Sequence, residues 1–335
     1  MSFDELPEFD IENIILFTYT NEIRKTILSN LMNFTKLKGF DCNSCDLTEL
    51  PEYLPISLTN LNVSFNDISV LLNLKNLTSL VELECCNNTL TKISELPDTL
   101  KILSCHQNNL TELPYLPDLL THLDCENNKL IELPYLPHTL TELNCSTNFL
   151  TKLHDLSKLS LIELDCIDNY LTEIPNLPNS LIYLYCDNNK LIKLPTLPTS
   201  LLELYCSDNN LSFSIEGIPE LPSNLEHFNC ESNKLTELPD LPSSLTMVHS
   251  ISGNLLHQTY YCCQPDTTIK SNEMFLININ QTNAKNKGIK KMKLLDRTLL
   301  LEHSAKITMN PKRIERLLDN KEINFFDGSF DNLTS

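Results

Sequence analysis

Residues 181–200 read LIYLYCDNNKLIKLPTLPTS, and versions of this unit recur along most of the 335-residue chain. The shared pattern is Leu-x-x-Leu-x-Cys-x-x-Asn, followed by a return rich in Leu-Pro pairs. Successive copies begin 20 to 24 residues apart, a period that indicates stacked supersecondary units rather than one globular core. The eleven copies begin at residues 37, 58, 80, 100, 120, 140, 161, 181, 201, 225 and 245.

The pattern predicts a short strand in each unit. Leu181, Leu184 and Cys186 are expected to project inward, and alternation along the strand sends Tyr185 to the opposite face. One such strand cannot bury its apolar side alone, so neighbouring units must stack to form the core. Asn189 ends the strand, and a column of such amides is expected to satisfy loop backbone groups from unit to unit.

The sequence also predicts where the asparagine column is interrupted and which conformation the Leu-Pro return adopts. Asparagine holds its column in nine of the eleven units, with Cys45 and Gly253 as the expected exceptions near the two ends. The Leu-Pro-x-Leu-Pro return cannot be a standard helix, because proline lacks the N–H donor and restricts the residue before it. We expect the return to run extended and polyproline-like across the outer face.

These residues resemble the leucine-rich repeat family over about residues 37–255. The short unit with its Leu-Pro-x-Leu-Pro return is similar to the repeats of secreted bacterial effectors. The version with cysteine at the third core position is similar to leucine-rich repeat proteins of giant DNA viruses. The resemblance implies an α/β repeat solenoid with a parallel concave sheet, an extended convex side and helical terminal caps. The implied domains are an N-terminal helical cap at 1–36, the solenoid at 37–255, and a C-terminal cap with a small basic helical tail at 256–335.

Most of the 13 cysteines belong to the repeat. Val63 and Ser250 replace cysteine in two units, so the column needs only a small side chain, a role that buried cysteine fills. Parallel stacking suits disulfide torsion poorly, which favours free thiols. Cys86 is expected to face outward, and no set of cysteines has the spacing of a zinc site. The column consists of cysteines 42, 85, 105, 125, 145, 166, 186, 206 and 230.

The third, fifth and seventh positions of each unit are expected to line the concave face. Eleven of these thirty-three positions are Asp or Glu, and none is Lys or Arg. Such a wall favours a basic partner, although acids can also serve only to keep a long solenoid soluble. The three tyrosines of the wall are a candidate hot spot, although tyrosine also simply suits strands. The predicted partner-binding residues are Tyr183, Tyr185, Tyr205, Asp187, Glu203, Glu163, Asp165, Asp124, Glu126, Glu82 and Glu84.

The two ends break the period. Asp10 can cap a helix over residues 11–17, and a second apolar pattern runs from Ile23 to Phe34. Helical patterns are predicted over 294–301 and 313–318. The tail also carries a basic cluster, which can be a solvated loop or a contact for nucleic acid, an acidic lipid or the protein's own acidic face. The cluster consists of Lys285, Lys287, Lys290, Lys291 and Lys293.

The composition narrows the function. A formal net charge of −19 disfavours general nucleic-acid binding, and only 5 glycines with no Gly-rich loop argue against phosphate-cradling enzymes. No stretch is long and apolar enough for a membrane helix, and the start lacks a signal-peptide pattern, so an intracellular monomer is expected, in the host cytoplasm if viral. Neither a cofactor nor a metal is implied.

The effectors with similar repeats often carry a ubiquitin-ligase domain whose nucleophile lies in a Cys-x-Asp motif. The tail here reads Cys262-Cys263-Gln264-Pro265-Asp266 and lacks that motif. The sequence therefore predicts a non-catalytic protein–protein interaction scaffold that binds a basic protein on its acidic concave face. The alternative is an adaptor or effector that recruits substrates for ubiquitin ligation through either terminal segment.

Overall fold

The computed structural model describes residues 13–15, 31, 34–212, 217–236, 238–248 and 253–255. The chain divides into two units, Met1–Lys190 and Leu191–Ser335. Each predicted repeat contributes one strand that begins at its third position. The domain boundaries predicted at residues 36 and 255 stay predictions, because the segments beyond them lie largely outside the described residues. The basic cluster, the tail helices and the last two cysteines also lie outside them.

The first unit is built around one parallel sheet. Within this unit the strand order is β1-β2-β3-β5-β7-β8-β9-β10-β11, with β4 and β6 forming a separate parallel pair. Equivalent positions face each other, so that Leu164 pairs with Leu184. The strands are β1 (Asn13–Ile15), β2 (Gly39–Asp41), β3 (Asn60–Asn62), β4 (Val70–Leu71), β5 (Glu82–Glu84), β6 (Lys92–Ile93), β7 (Ile102–Ser104), β8 (His122–Asp124), β9 (Glu142–Asn144), β10 (Glu163–Asp165) and β11 (Tyr183–Tyr185).

The second unit repeats this arrangement on a smaller scale. Its strands are β12 (Glu203–Tyr205), β13 (His227–Asn229) and β14 (Met247–Val248). The three strands pair in parallel, with Leu204 opposite Phe228. An isolated parallel bridge joins Ser212 to Lys234, which follow β12 and β13 in the same two repeats.

The helix predicted over residues 11–17 is wrong. Asn13–Ile15 is a strand that pairs in parallel with β2, with Ile14 opposite Phe40. The β-branched pair Ile14-Ile15 suits a strand, and the unpaired N–H and C=O groups along the edge of β2 supply hydrogen bonds that a helix would leave unused. In the part of the chain that the structure describes, helical geometry occurs in the 3₁₀ turn Leu74–Asn76 and at Leu31.

The predicted core is confirmed. Leu181, Leu184 and Cys186 are fully buried, and the equivalent leucines and cysteines of the other described repeats are buried too. The thiols have an additional polar contact, because several Sγ atoms lie against the main-chain oxygen of the next strand. Cys166 Sγ donates to Tyr185 O at 3.4 Å, and Cys166 N donates to the same oxygen at 2.9 Å. Each such cysteine therefore fills space and reinforces strand pairing.

The Leu-Pro returns contain no helix in the described residues, as their proline content predicts. Each return ends in a tight turn, in which the second proline's carbonyl accepts from the leucine that opens the next repeat. Leu120 N donates to Pro117 O at 3.0 Å, and Leu140 N donates to Pro137 O at 3.1 Å. The second proline thus sets where each new strand begins.

The asparagine column satisfies backbone groups as predicted. In the first unit, Asn189 Nδ2 donates to Cys166 O at 2.9 Å, and Asn189 Oδ1 accepts from Leu171 N at 2.9 Å. The prediction for Gly253 is wrong. Asn254, one residue later, holds the column, since Leu235 N donates to its Oδ1 at 3.1 Å and its Nδ2 donates to Cys230 O at 2.9 Å.

The residue before each column asparagine has a left-handed backbone. Its φ lies between 50° and 55° before nine of these asparagines, for example at Asn127 (φ 50°) and Asn188 (φ 50°). Asparagine and aspartate tolerate this region better than other non-glycine residues, and five of the nine positions hold one of the two. Before Asn254 the position is Gly253, with φ 70°.

Candidate functional site

The strand face consists of the side chains at the third, fifth and seventh positions of each repeat. In the first unit, Glu82 and Glu84 lie on β5, Asp124 on β8, and Glu163 and Asp165 on β10. Glu126 and Asp187 lie two residues beyond the ends of their strands. In the second unit, Glu203 and Tyr205 lie on β12. All of these predicted partner-binding side chains are half-buried, so each is set between neighbours and still open to solvent.

The tyrosines are placed on two strands. Tyr183 and Tyr185 lie on β11 of the first unit, where Tyr183 is opposite Glu163 and Tyr185 is opposite Asp165. Tyrosine and acid therefore lie side by side on these two adjacent strands. Tyr205 lies on β12 in the second unit, where Glu203 Oε1 contacts His227 Nδ1 at 3.3 Å.

Short side chains at the seventh position are buried, which corrects the expectation that Cys86 faces outward. Cys86 is 5% exposed, and Ser64, Ser146 and Ser207 are buried in the equivalent place. The left-handed turn that follows draws this position against the preceding repeat, and Cys86 N donates to Ser64 Oγ at 3.2 Å. Burial raises the pKa of the Cys86 thiol to about 11. Longer residues such as Glu126 reach solvent from the same position.

The fifth position has a structural role that sequence reasoning missed. Asp124 Oδ1 accepts from Glu126 N at 3.1 Å, and Asp165 Oδ1 accepts from Ile167 N at 3.0 Å. Asn144 makes the same bond to Ser146 N at 3.1 Å. These are side-chain turns of the kind that Asp and Asn form with the backbone two residues on. The recurrence of Asp or Asn at this position was the available signal.

Burial shapes the charge of the strand face. It raises the pKa of the Asp165 carboxyl to about 6, with nearby Glu126 and Glu163 adding to the effect against the bond from Ile167 N. Burial also raises the pKa of Asp124 and of Glu84. A half-buried carboxylate without a cation is disfavoured relative to its protonated form. A bound cation would therefore stabilise these groups more than it would stabilise fully solvated acids.

A pocket of about 280 Å³ opens on the strand face between β7 and β10. Ser104 on β7 lies between Glu84 and Asp124 in the fifth-position row and has a shorter side chain than either of them. The lining residues are Ile102, Ser104, His122, Leu123, Asp124, Glu142, Leu143, Asn144 and Glu163. Sequence analysis named two of these, Asp124 and Glu163, and did not anticipate the cavity.

The imidazole of His106 lies at the seventh position next to these acids. In its protonated form this imidazole opposes the rise in the carboxyl pKa of Glu84 and of Asp124. Among the described residues, His106 Nδ1 is the buried side-chain nitrogen or oxygen atom that lacks a hydrogen-bond partner. The polar network of the strand face is therefore incomplete at this point.

A second surface feature follows the turns at the end of the strands. Phe149 and Tyr170 stack with ring centroids 6.1 Å apart, and Lys190 Nζ lies 4.5 Å from the centroid of Tyr170. All three occupy the tenth position of consecutive repeats, so aligning the repeats would have revealed the column. The contact with Tyr170 also places Lys190 beside the strand face and not on it.

Two classes of site receive no support from the described residues. Those residues contain no group of three or more His, Cys, Asp or Glu side chains arranged to hold a metal ion. None of the helices found in the same part of the chain has the length and apolar character to span a membrane.

Parallel strands at one per repeat, buried leucine and cysteine columns and an asparagine ladder define a leucine-rich repeat solenoid. No protein-family model matches the sequence, and the search of curated proteins found no match. Solved structures do match. The chain is similar to YopM from Yersinia enterocolitica WA-314, with 33% identity, a TM-score of 0.61, and coverage of 67% of this chain and 53% of that one.

Two further structures support the same fold. YopM from Yersinia pestis, a leucine-rich effector protein, has 34% identity, a TM-score of 0.62, and coverage of 70% of this chain and 65% of that one. The functional domain of InlJ from Listeria monocytogenes, which includes a cysteine ladder, has 25% identity, a TM-score of 0.51, and coverage of 73% and 63%. The chain spans between about half and two thirds of the length of these proteins. It has the leucine-rich repeat fold.

Proposed function

We propose that the protein is a non-catalytic interaction scaffold that binds a basic protein on its strand face, the concave side of the solenoid. The observation that carries the proposal is the sorting of charge. Eleven acids and no Lys or Arg occupy the predicted face positions. Ten of these acids are half-buried in the structure, and Glu142 is exposed. Clefts of one sign raise the encounter rate of oppositely charged partners.

Three further observations support this function. The carboxyl pKa of Asp165 is raised to about 6 by burial and by neighbouring acids, so an arriving cation removes an existing repulsion. Tyr183 and Tyr185 stand opposite acids on β10, in the mixture of rings and charge that interface hot spots favour. The leucine-rich repeat fold presents a broad face of this kind, and the similar YopM is an effector protein.

The setting we propose is the interior of a cell. The described cysteines are all free and buried, and reducing compartments keep thiols in this state. The adaptor alternative, with ubiquitin ligation as its endpoint, depends on the terminal segments, which lie largely outside the described residues.

The test compares two variants of the full chain with the same change in net charge. In the face variant, Glu84→Gln, Asp124→Asn and Asp165→Asn are combined; in the control, Glu112→Gln, Glu132→Gln and Glu173→Gln replace exposed acids off the strand face. Each tagged protein is used to capture partners at low and high salt, with identification by mass spectrometry.

We expect the wild type and the control to retain the same basic proteins in a salt-sensitive manner, and the face variant to lose them. Equal losses in both variants would show that total charge, and not its sorting onto the strand face, drives capture. Retention of the same proteins by the face variant would contradict the proposal.

A further inference from the structure

The pocket between β7 and β10 lies within the acidic strand face and has a defined chemistry. Strand register places its walls in two rows. The third-position row runs from Ile102 through His122 and Glu142 to Glu163, and the fifth-position row runs from Ser104 through Asp124 to Asn144. Leu123 and Leu143 are buried on the opposite side of the sheet, so they present main chain to the pocket.

Three carboxylates from three adjacent strands surround the cavity. They belong to Asp124 on β8, Glu142 on β9 and Glu163 on β10. No lysine or arginine is among the lining residues. His122 Nε2 lies 3.2 Å from Glu142 Oε1, and His122 Nδ1 is held at 2.7 Å by Thr121 Oγ1, which fixes the imidazole as one wall.

The dimensions suit a single side chain better than a larger ligand. A volume of about 280 Å³ is below the range of about 300–1,000 Å³ typical of sites for drug-sized molecules. Adjacent strands are about 4.8 Å apart, so carboxylates on neighbouring strands are spaced for a group that donates in more than one direction. A guanidinium presents five donors in a planar fork, whereas an ammonium is a compact, strongly hydrated point charge.

We propose that this pocket receives one arginine side chain of the partner protein, with Asp124, Glu142 and Glu163 as acceptors. The proposal rests on the proposed function and adds the specificity of the site. The aliphatic stem of the arginine lies against Ile102 and the His122 ring, and its guanidinium reaches the carboxylates. A second copy of this chain is a poor occupant, because a net charge of −19 on each molecule opposes their approach.

The probes are three acetylated and amidated pentapeptides, Gly-Ser-X-Ser-Gly, in which X is arginine, lysine or citrulline. Citrulline keeps the shape of arginine and loses its charge. Binding to the full chain is measured by isothermal titration calorimetry at low salt. We expect the arginine peptide to bind several-fold more tightly than the lysine peptide, and the citrulline peptide to bind at least about tenfold more weakly.

Two variants locate the binding. Glu142→Gln removes one acceptor and is expected to weaken the arginine peptide about tenfold. Ser104→Tyr fills the pocket with a side chain that the fold accepts at the same position of β11, Tyr185, and is expected to abolish binding without lowering thermal stability. The matched control is Glu132→Gln, which removes an exposed acid off the strand face and is expected to leave binding unchanged.

Three results would overturn the inference. The first is no detectable binding of the arginine peptide to the wild type, and the second is equal binding of the citrulline peptide. The third is a tenfold gain in arginine-peptide affinity when the five tail lysines are replaced by serine, which would assign the pocket to this chain's own segment. Those lysines are Lys285, Lys287, Lys290, Lys291 and Lys293.

The proposed function and the pocket inference can fail separately. If the strand face retains a salt-sensitive basic partner whose capture is unaffected by Ser104→Tyr, the scaffold function stands and the arginine pocket is wrong. If the arginine peptide binds as expected but the face variant still retains the same partners as the wild type, the pocket stands and the scaffold function is wrong.

Discussion

The side-chain amide of Asn189 donates from Nδ2 to the main-chain carbonyl of Cys166 at 2.9 Å, although the two residues are 23 positions apart. The same amide accepts from Leu171 N at 2.9 Å. Both backbone groups belong to the preceding repeat, and Asn189 is buried. One side chain therefore completes the hydrogen bonding of a neighbouring unit in a place that water does not reach.

Asn189→Ala is expected to destabilise the protein by about 2–3 kcal/mol. The substitution leaves the buried Leu171 N–H and the Cys166 carbonyl without this partner, and an unmade buried bond costs its full desolvation penalty. The measurement is chemical unfolding followed by circular dichroism. Asn176→Ala, at an exposed position, serves as the control and is expected to change stability by less than about 0.5 kcal/mol. Equal effects of the two substitutions would refute the structural role of the ladder.

Cys145→Val is expected to change stability by less than about 1 kcal/mol, because buried cysteine acts as a small apolar residue. Val63 occupies the same column and is fully buried, and valine keeps the bond from the residue 145 backbone N–H to Asp165 O. Cys145→Asp, which buries an unpaired charge, is expected to cost more than about 3 kcal/mol. A large loss for valine as well would mean that the contact from Cys145 Sγ to Asp165 O contributes more to stability than the filling of space does.

Thiol reactivity provides an independent check of the cysteine column. The chain has 13 cysteines, and eleven of them are described as free and buried, which leaves two (13 − 11). Burial raises the pKa of the Cys230 thiol to about 12, so its thiolate is scarce at neutral pH. We expect at most two thiols per chain to react rapidly with a bulky aromatic disulfide reagent, and the remainder only after unfolding. Rapid reaction of most of the thiols in the native protein would contradict the buried column.

Asp165→Asn is expected to stabilise the protein at pH 7 and not at pH 4. The folded-state pKa of about 6 lies above the ordinary value of about 3.9, so the folded state holds the proton more tightly. This group's contribution to stability therefore falls as the pH rises from about 4 to about 6. Allowing for solvent screening, the gain at pH 7 is about 1 kcal/mol.

Asparagine at this position preserves the local turn, since Asn144 makes the same bond to the backbone. Chemical unfolding of the wild type and Asp165→Asn at the two pH values measures the effect. Glu173→Gln, an exposed acid in the same repeat, is the control for net charge. A gain of the same size at pH 4 would contradict the pKa argument.

Tyr185→Ala is expected to weaken binding of a strand-face partner by about 2 kcal/mol if the ring is a hot spot. The residue is half-buried on β11 opposite Asp165, where a cationic side chain can contact the ring and the carboxylate together. Affinity is measured by calorimetry with a partner identified by capture, and circular dichroism checks the fold. Tyr115→Ala, at a 67% exposed ring elsewhere, is the control. Unchanged affinity after loss of Tyr185 would eliminate the anchor.

The repeat could be predicted from the sequence because each unit has the same spacing of leucine, cysteine and asparagine. The spacing of Leu181, Leu184 and Cys186 fixes a strand and its inward side, and eleven copies average out local ambiguity. The first strand, β1, lies outside the repeated pattern and could not be predicted in this way. The apolar pattern around Ile14 fits a helix as well as a strand, and the deciding factor is the edge of β2, which is distant in sequence.

The strand face was only partly predictable. Counting positions along the repeat finds the acids, but the depth of the pocket depends on how side chains of different length pack, such as Ser104 between Glu84 and Asp124. The burial of Cys86 depends on a left-handed turn at Asn87 (φ 51°), which strand alternation does not encode. Sequence periodicity thus identifies which residues occupy equivalent positions in the repeats. How deeply each side chain is buried depends on packing between repeats.

The asparagine ladder also has a direction. In the described repeats each column amide bonds to the repeat before it, as Asn189 does to Leu171 and Cys166. Its other bonds stay within its own repeat, as from Asn189 Nδ2 to Asp187 O. A ribosome delivers the chain in the same order, so the newest repeat always awaits the next one to complete its hydrogen bonds. Folding during synthesis is therefore expected to trail elongation by one repeat, with a single unfinished turn at the growing end.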